Sequence, residues 1–220
     1  MLTRLPKWVE YGAFILALIA GFINAVGLFG FHHQSISHLS GITTLIGVGL
    51  TSSHFTQTLH LIFIVMAFIV GAALSGFILR DGALRLGRNY SALLLIEGLL
   101  LATAVICLNQ QLLAGHYLAS AACGLQNAMV TTYSGAVIRT THVTGIFTDL
   151  GLMLGAKLRG EAFDTRKALL FFLIVSGFLF GGTLGAFAYQ ALAFNALYIP
   201  AMLCLLLAAG YQWYGRRNAA

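Results

Sequence analysis

Apolar positions along this chain fall into long unbroken runs rather than into the stripes of surface helices. Crossing a bilayer as a helix takes about 20 apolar residues. Six runs approach or exceed that length: 10–31, 58–80, 90–108, 111–133, 167–190 and 194–214. The connections are short and polar, with no room for a separate soluble domain. The expected fold class is an all-α polytopic membrane protein forming a single membrane domain over 1–220. Met1 to Tyr11 places Arg4, Lys7 and Glu10 ahead of the first run, with no small-residue cleavage site after a short apolar core. The first run is therefore read as an uncleaved helix rather than a signal peptide.

Two stretches nearly copy each other. Ser37-His38-Leu39-Ser40-Gly41-Ile42-Thr43-Thr44-Leu45-Ile46-Gly47 matches Thr141-His142-Val143-Thr144-Gly145-Ile146-Phe147-Thr148-Asp149-Leu150-Gly151. Upstream, Gly21-Phe22-Ile23-Asn24-Ala25 matches Gly124-Leu125-Gln126-Asn127-Ala128. Downstream, Phe68 to Phe77 matches Phe178 to Phe187, with Gly71 and Ser75 against Gly181 and Gly185 as small-xxx-small packing positions. The chain reads as an internal duplication, with repeats at about 10–108 and 111–214. Internal repeats in membrane proteins are a signature of transporters, whose substrate site lies where the repeats meet.

Charge then decides between topologies. Charged residues are 8% of the chain, against roughly 25% in soluble domains. The net charge of +6 is spread over membrane-flanking segments and forms no aromatic-interleaved groove, which excludes nucleic acid as a partner. Lys and Arg favour cytoplasmic loops. They occur at Arg4, Lys7, Arg80, Arg85, Arg88 and Arg139, from Lys157 to Lys167, and at Arg216 and Arg217; 32–36, 51–57, 109–110 and 191–193 carry none. If the two repeated Ser/Thr-His segments also crossed, Arg80, Arg85, Arg88 and Arg139 would land outside. The expected arrangement is therefore about six spans plus two broken or re-entrant segments, in two inverted repeats with both termini cytoplasmic. The alternative is an eight-span bundle in which 36–52 and 140–157 are ordinary short helices.

In the broken-segment reading, helices start at Ser40-Gly41 and Thr144-Gly145, with the hydroxyl residue as cap and Gly allowing close approach. Such helix starts present free N–H groups and partial positive charge to a polar or anionic group. Asn24 and Asn127 stand at equivalent places on the preceding helices. The expected substrate-binding set is Asn24, His38, Ser40, Gly41, Thr44, Gln126, Asn127, His142, Thr144, Gly145 and Thr148. The competing reading is that these polar groups simply join helices. His38 and His142 are read as neutral rings holding the broken loops, with proton relay next and metal last, because ligand spacing is absent. His32, His33, His54 and His60 are read as interfacial. Cys107, Cys123 and Cys204 fall inside apolar runs without metal spacing and are read as packing residues. No cofactor is expected.

Two acids break the symmetry: Glu97, whose counterpart in the second repeat is at about Ala201, and Asp149, where the first has Leu45. An acid in hydrocarbon costs about 2.5–3.5 kcal/mol on insertion scales, so it faces the interior, pairs, or is protonated. Both are proton-coupling candidates. Asp149 also suits a helix first turn and a pairing with Arg139. Pro200 is a candidate kink in the last span.

The motifs Gly-Phe-Ile-Asn-Ala with Ser-His-Leu-Ser-Gly, then Gly-Leu-Gln-Asn-Ala with Arg-Thr-Thr-His-Val-Thr-Gly and Thr-Asp-Leu-Gly, resemble the bacterial YoaK family over nearly the whole chain. That family comprises integral membrane proteins of unknown function. The resemblance implies a multi-pass protein of the bacterial inner membrane and supplies no substrate. Members often carry Asn after the first motif's Gly, where this chain has Ile42, so no binding role is assigned there.

The leading functional expectation is a small secondary transporter of a small polar or anionic solute, with proton coupling through the acids. A passive channel with two facing half-helices is the first alternative, and it would need neither Glu97 nor Asp149. A membrane-embedded enzyme would require a nucleophile-base-orienter set that the chain does not display. A non-catalytic membrane subunit would have no use for a polar site at mid-depth. The expected partners are a small-molecule solute, the lipid bilayer and, as one option, a second copy in a homodimer.

Overall fold

The computed structural model of the protein describes residues 8–30, 36–51, 55–79, 88–133 and 140–217. These residues form eight α-helices: α1 (Trp8–Gly30), α2 (Leu39–Gly49), α3 (Phe55–Ile78), α4 (Arg88–Asn109), α5 (Ala114–Tyr133), α6 (Val143–Leu158), α7 (Thr165–Leu192) and α8 (Tyr198–Arg217). A 3₁₀ turn, Ala193–Leu197, joins α7 to α8. Four stretches are long and apolar enough to cross a membrane: Glu10–Gly30, Phe55–Ile78, Asn89–Asn109 and Thr165–Trp213. The last contains both α7 and α8. α5 is outside this set, because His116, Ser120, Gln126, Asn127, Thr131 and Thr132 dilute its apolar content.

The helices pair crosswise between the first and second halves of the chain. α1 packs chiefly on α7, α3 on α5, and α4 on α8 and α5. Glycine makes the first two pairings possible. A Cβ on Gly181 would run into the carbonyl oxygen of Leu18, and one on Gly21 into that of Phe178. In the other seam, a Cβ on Gly71 would strike the carbonyl oxygen of Ala121, and one on Gly124 that of Phe68. These four contacts are equivalent under the duplication. The small residues therefore let backbones touch, the packing role expected for Gly71 and Gly181. Parallel direction follows from register: Phe14, Leu18 and Phe22 of α1 meet Gly177, Gly181 and Gly185 of α7 in the same order.

Buried side chains gather in two main clusters. One holds Ala13 and Ala17 of α1, Leu79 just after α3, Leu93 and Leu94 of α4, Leu125 and Met129 of α5, and Leu170 and Ile174 of α7. The other holds Ile23 and Val26 of α1, Leu101 and Leu108 of α4, Ala119 of α5, and Leu197 and Cys204. The start of α1 thus shares a core with the end of α5, and the end of α1 with the start of α5.

α2 and α6 are the short elements. α2 packs on α3 and α6 on α7, and they do not touch each other. Apolar side chains remain exposed along α3 and α7, including Phe63, Val70, Phe77, Phe172, Phe180 and Phe187. In water such surface would drive association; against lipid tails it is the ordinary outer face of a bundle. Pro200 sits in the first turn of α8, where its missing N–H has no helical partner to lose. The direction change falls earlier, at the 3₁₀ turn, where Ala193 takes a positive φ of 49°.

Candidate functional site

The two repeated motifs build matching junctions. In the first, Asn24 of α1 donates from Nδ2 to Ser37 Oγ at 2.6 Å and accepts the Ser37 backbone N–H at 2.9 Å. In the second, Thr141 Oγ1 donates to Asn127 Oδ1 at 3.2 Å. Each Asn thus ties the end of a long helix to the segment that leads into a short one.

The short helices begin two residues before the expected Gly. His38 and His142 occupy the cap positions, with φ of −87° and −93°, and neither side chain caps an N–H. Their backbone carbonyls accept instead, from Ile42 N at 3.1 Å and Ile146 N at 3.2 Å. Ser40 and Thr144, expected as caps, lie in the first turn. Their carbonyl oxygens accept from Thr44 Oγ1 and Thr148 Oγ1, each at 3.0 Å. The glycines follow from the histidines. A Cβ on Gly41 would lie 2.8 Å from His38 Nδ1, and one on Gly145 would collide with the His142 ring. The ring folds over the residue three places on, so the His-x-x-Gly spacing is steric. His38, Ser40, Thr44, His142, Thr144 and Thr148 are all exposed on the chain.

The acids part company. Glu97 is fully buried at the middle of α4, and neither carboxyl oxygen has a nitrogen or oxygen hydrogen-bond partner. The thiol of Cys204 is its hydrogen-bonding neighbour, and Cys123 lies within the reach of its charge. Asp149 is about half exposed and pairs with Lys167 Nζ at 3.4 Å. Its other expected partner, Arg139, lies outside the described residues, as do Arg4, Lys7, Arg80, Arg85, His32, His33 and His54. A second ion pair, Glu10 with Arg166 at 3.3 Å, joins the starts of α1 and α7.

Gln126 is also fully buried. Its Nε2 donates to Leu16 O at 2.8 Å, while Oε1 has no partner. Thr140, just before α6, is buried with an unpartnered hydroxyl, as is Ser75. Unpartnered buried polar atoms cost about 1–3 kcal/mol each, so their presence at a helix junction is a demand for a partner.

One cluster was missed in the sequence. His60 of α3 meets His116 and Tyr117 of α5, with Nδ1 2.9 Å from Tyr117 Oη and Nε2 3.0 Å from His116 Nδ1. The two histidines are far apart in sequence on different helices, so no spacing rule could join them. A His-Tyr pair, His116 and Tyr117, at the start of an apolar run was the only signal in the sequence. Among the described residues, no group of three His, Cys, Asp or Glu is arranged to hold a metal.

Helices long and apolar enough to cross a membrane, with no strand among the described residues, define the class: an all-helical membrane protein. Within that class, the chain belongs to the family described as "Protein of unknown function (DUF1275)", which matches residues 12–210. No curated protein and no solved structure matches it.

Proposed function

We propose that the protein is a small proton-coupled secondary transporter of a small polar or anionic solute in a bacterial inner membrane, with its site where the two repeats meet. The observation that carries the reading is Glu97. A carboxyl whose one polar neighbour is a thiol, that of Cys204, and which is fully buried where α4 packs on α5 and α8, is costly to keep in an apolar bundle and serves a protein that must pick up and release a proton. The structural alternative, that Glu97 stabilises the fold, is disfavoured because the second half of the chain has a small apolar residue, at about Ala201, in the corresponding place.

The architecture behind the proposal is six crossings by α1, α3, α4, α5, α7 and α8, with α2 and α6 returning to the side they left. The grouping of core residues supports it. The start of α1 clusters with the end of α5, as inverted repeats require. Leu79, after α3, lies in the cluster that contains the start of α1, so α3 runs back and α2 makes no net crossing. In this topology the segments holding Arg80, Arg85, Lys157 and Arg159 share one side, the cytoplasmic one. The resemblance to the YoaK family accords with this placement.

For the solute, the unpartnered Oε1 of Gln126 accepts a donor group, and the N–H groups that open α2 and α6 serve acceptor groups. Asn24 and Asn127 hold those openings in place. Asp149, paired with Lys167, supplies a second, weaker coupling candidate. The test is proteoliposomes loaded with a pH-sensitive dye and challenged with a panel of small carboxylates, phosphate, amino acids and amides. The expected result is internal acidification with one class of solute, lost in Glu97→Gln. A solute flux that moves no protons and survives Glu97→Gln would replace the transporter by a passive channel.

A further inference from the structure

One face of α5 is polar where its counterpart in the other repeat is hydrocarbon. His116, Ser120, Cys123 and Gln126 follow one another at helical spacing, and all are buried. Aligned through the Gly-x-x-Asn-Ala motif, the same positions of α1 are Ala13, Ala17, Ala20 and Ile23, also buried. Their neighbours obey the same rule: His60 corresponds to Leu170, and Glu97 to about Ala201. The fold therefore tolerates alkyl groups at every one of these places. Burying polar groups costs free energy unless they are satisfied, so an entire polar file on one side only is a feature that packing does not explain.

The file opens with an ordered series. Tyr117 Oη, His60 and His116 are linked by contacts of 2.9 and 3.0 Å. A neutral imidazole has one donor and one acceptor nitrogen, so the protons of the series all point the same way. A proton arriving at the Tyr117 oxygen passes on the phenol proton to His60 Nδ1. The His60 Nε2 proton moves to His116 Nδ1, and the His116 Nε2 proton leaves. Three bonds to hydrogen break, three form, and no charge stays behind. Next along α5, Ser120 donates to Ile64 O at 2.8 Å and keeps lone pairs to accept. One turn further is Cys123, in the same buried cluster as Cys204, the neighbour of Glu97. His116 to Cys123 spans about 10 Å along the helix axis.

Among the described residues of the helices packed around it, no fixed charge pre-empts the series. α2, α3 and α5 contain no Asp, Glu, Lys or Arg. α4 brings Arg88 and Glu97, and Glu97 lies about 16 Å along the axis from Leu108, the residue against which Gly115 packs. α1 brings Glu10, at the end that shares its core with the far end of α5.

We infer that His60, His116 and Tyr117 form a proton port, opening at the end of the bundle where α3 and α5 begin and leading to Glu97 along the buried face of α5, with water completing the file past Ser120. The inference rests on reading Glu97 as the coupling acid, and it places the port on the non-cytoplasmic side. It is tested without any solute, on the full chain in lipid nanodiscs. Infrared difference spectra on transfer to D₂O report exchange of the Glu97 carboxyl proton, its band assigned by loss in Glu97→Gln. A positioned acid–base side chain contributes roughly 10²–10⁴-fold to a proton-transfer step. His116→Gln and Tyr117→Phe, which keep shape, are each expected to slow that exchange roughly a hundredfold. Leu170→Gln, at the equivalent place in the other seam, leaves the rate unchanged. Wild-type exchange rates in folded His116→Gln and Tyr117→Phe overturn the port, and so does equal slowing by Leu170→Gln. Should His116→Gln fail to fold, Tyr117→Phe and Ser120→Ala decide alone. Absence of a protonated Glu97 band removes the coupling acid itself, whereas a present band with unaffected exchange removes only the port.

Discussion

Replacing the seam glycines by alanine separates close packing from helix propensity, because the two effects have opposite signs. In a helix, Gly→Ala by itself stabilises by about 0.5–1 kcal/mol. At Gly151, Gly76 and Gly12 a Cβ meets nothing within 4 Å, so that gain should appear unopposed. At Gly185 the added Cβ would lie 2.6 Å from Phe22 O, and at Gly177 2.5 Å from Phe14 O. Ordinary contact is about 3.5 Å, so the α1–α7 seam must open by close to 1 Å. Overpacking of this kind costs typically about 1–3 kcal/mol. The net expectation for Gly185→Ala and Gly177→Ala is a loss of roughly 0–2.5 kcal/mol. Gly181→Ala and Gly71→Ala, whose Cβ would meet carbonyl oxygens head on, should lose the most. At roughly 2–4 °C per kcal/mol for a chain of this size, thermal unfolding in detergent resolves the difference. The duplication adds a sharper demand: Gly71→Ala and Gly181→Ala should fall by similar amounts. If Gly181→Ala and Gly151→Ala melt alike, backbone contact in these seams is not what the glycines are for.

Asn24→Leu removes two hydrogen bonds to Ser37 and should cost about 1–3 kcal/mol, with faster amide exchange confined to the start of α2; unchanged exchange there would dismiss the clamp. Asn127→Leu removes a single 3.2 Å bond and should cost less, a ranking that melting temperatures check. A cysteine placed at Leu112 should be labelled from outside only and one at Gly160 from inside only; the same sidedness for both would invalidate the six-crossing topology.

Much of the helical layout was legible because hydrocarbon solvent leaves the chain little choice: each long apolar run had to become a helix. Helix starts were harder. Ser40 and Thr144 looked like caps, yet His38 and His142 hold that position, accepting through their backbone carbonyls while their rings lie over Gly41 and Gly145. The glycine in the motif was correctly singled out for close approach, but the approaching group was not foreseeable. Asn24 and Asn127 were legible as an equivalent pair, and their partners Ser37 and Thr141 lay in the same repeat. The His60–His116–Tyr117 series was illegible because its members meet only through the α3–α5 seam. Glu97 stood out from the start, since an acid in an apolar run has few ordinary explanations.

The crosswise pairing of helices also fixes a timetable. Gly21 meets Phe178, a partner 178 − 21 = 157 residues later in the chain. At about 5–20 residues per second of synthesis, the glycine face of α1 waits roughly 8–30 s for α7. The α3–α5 seam closes sooner, since Phe68 and Gly124 are 124 − 68 = 56 residues apart, a wait of about 3–11 s. Of the two glycine seams, α3–α5 is therefore the first to form, and α1 is a newly inserted helix kept without its chief partner until the second half of the chain is almost complete. A chain cut between α5 and α7 would carry a finished α3–α5 pair and an orphaned α1, the species a membrane quality-control protease is best placed to find.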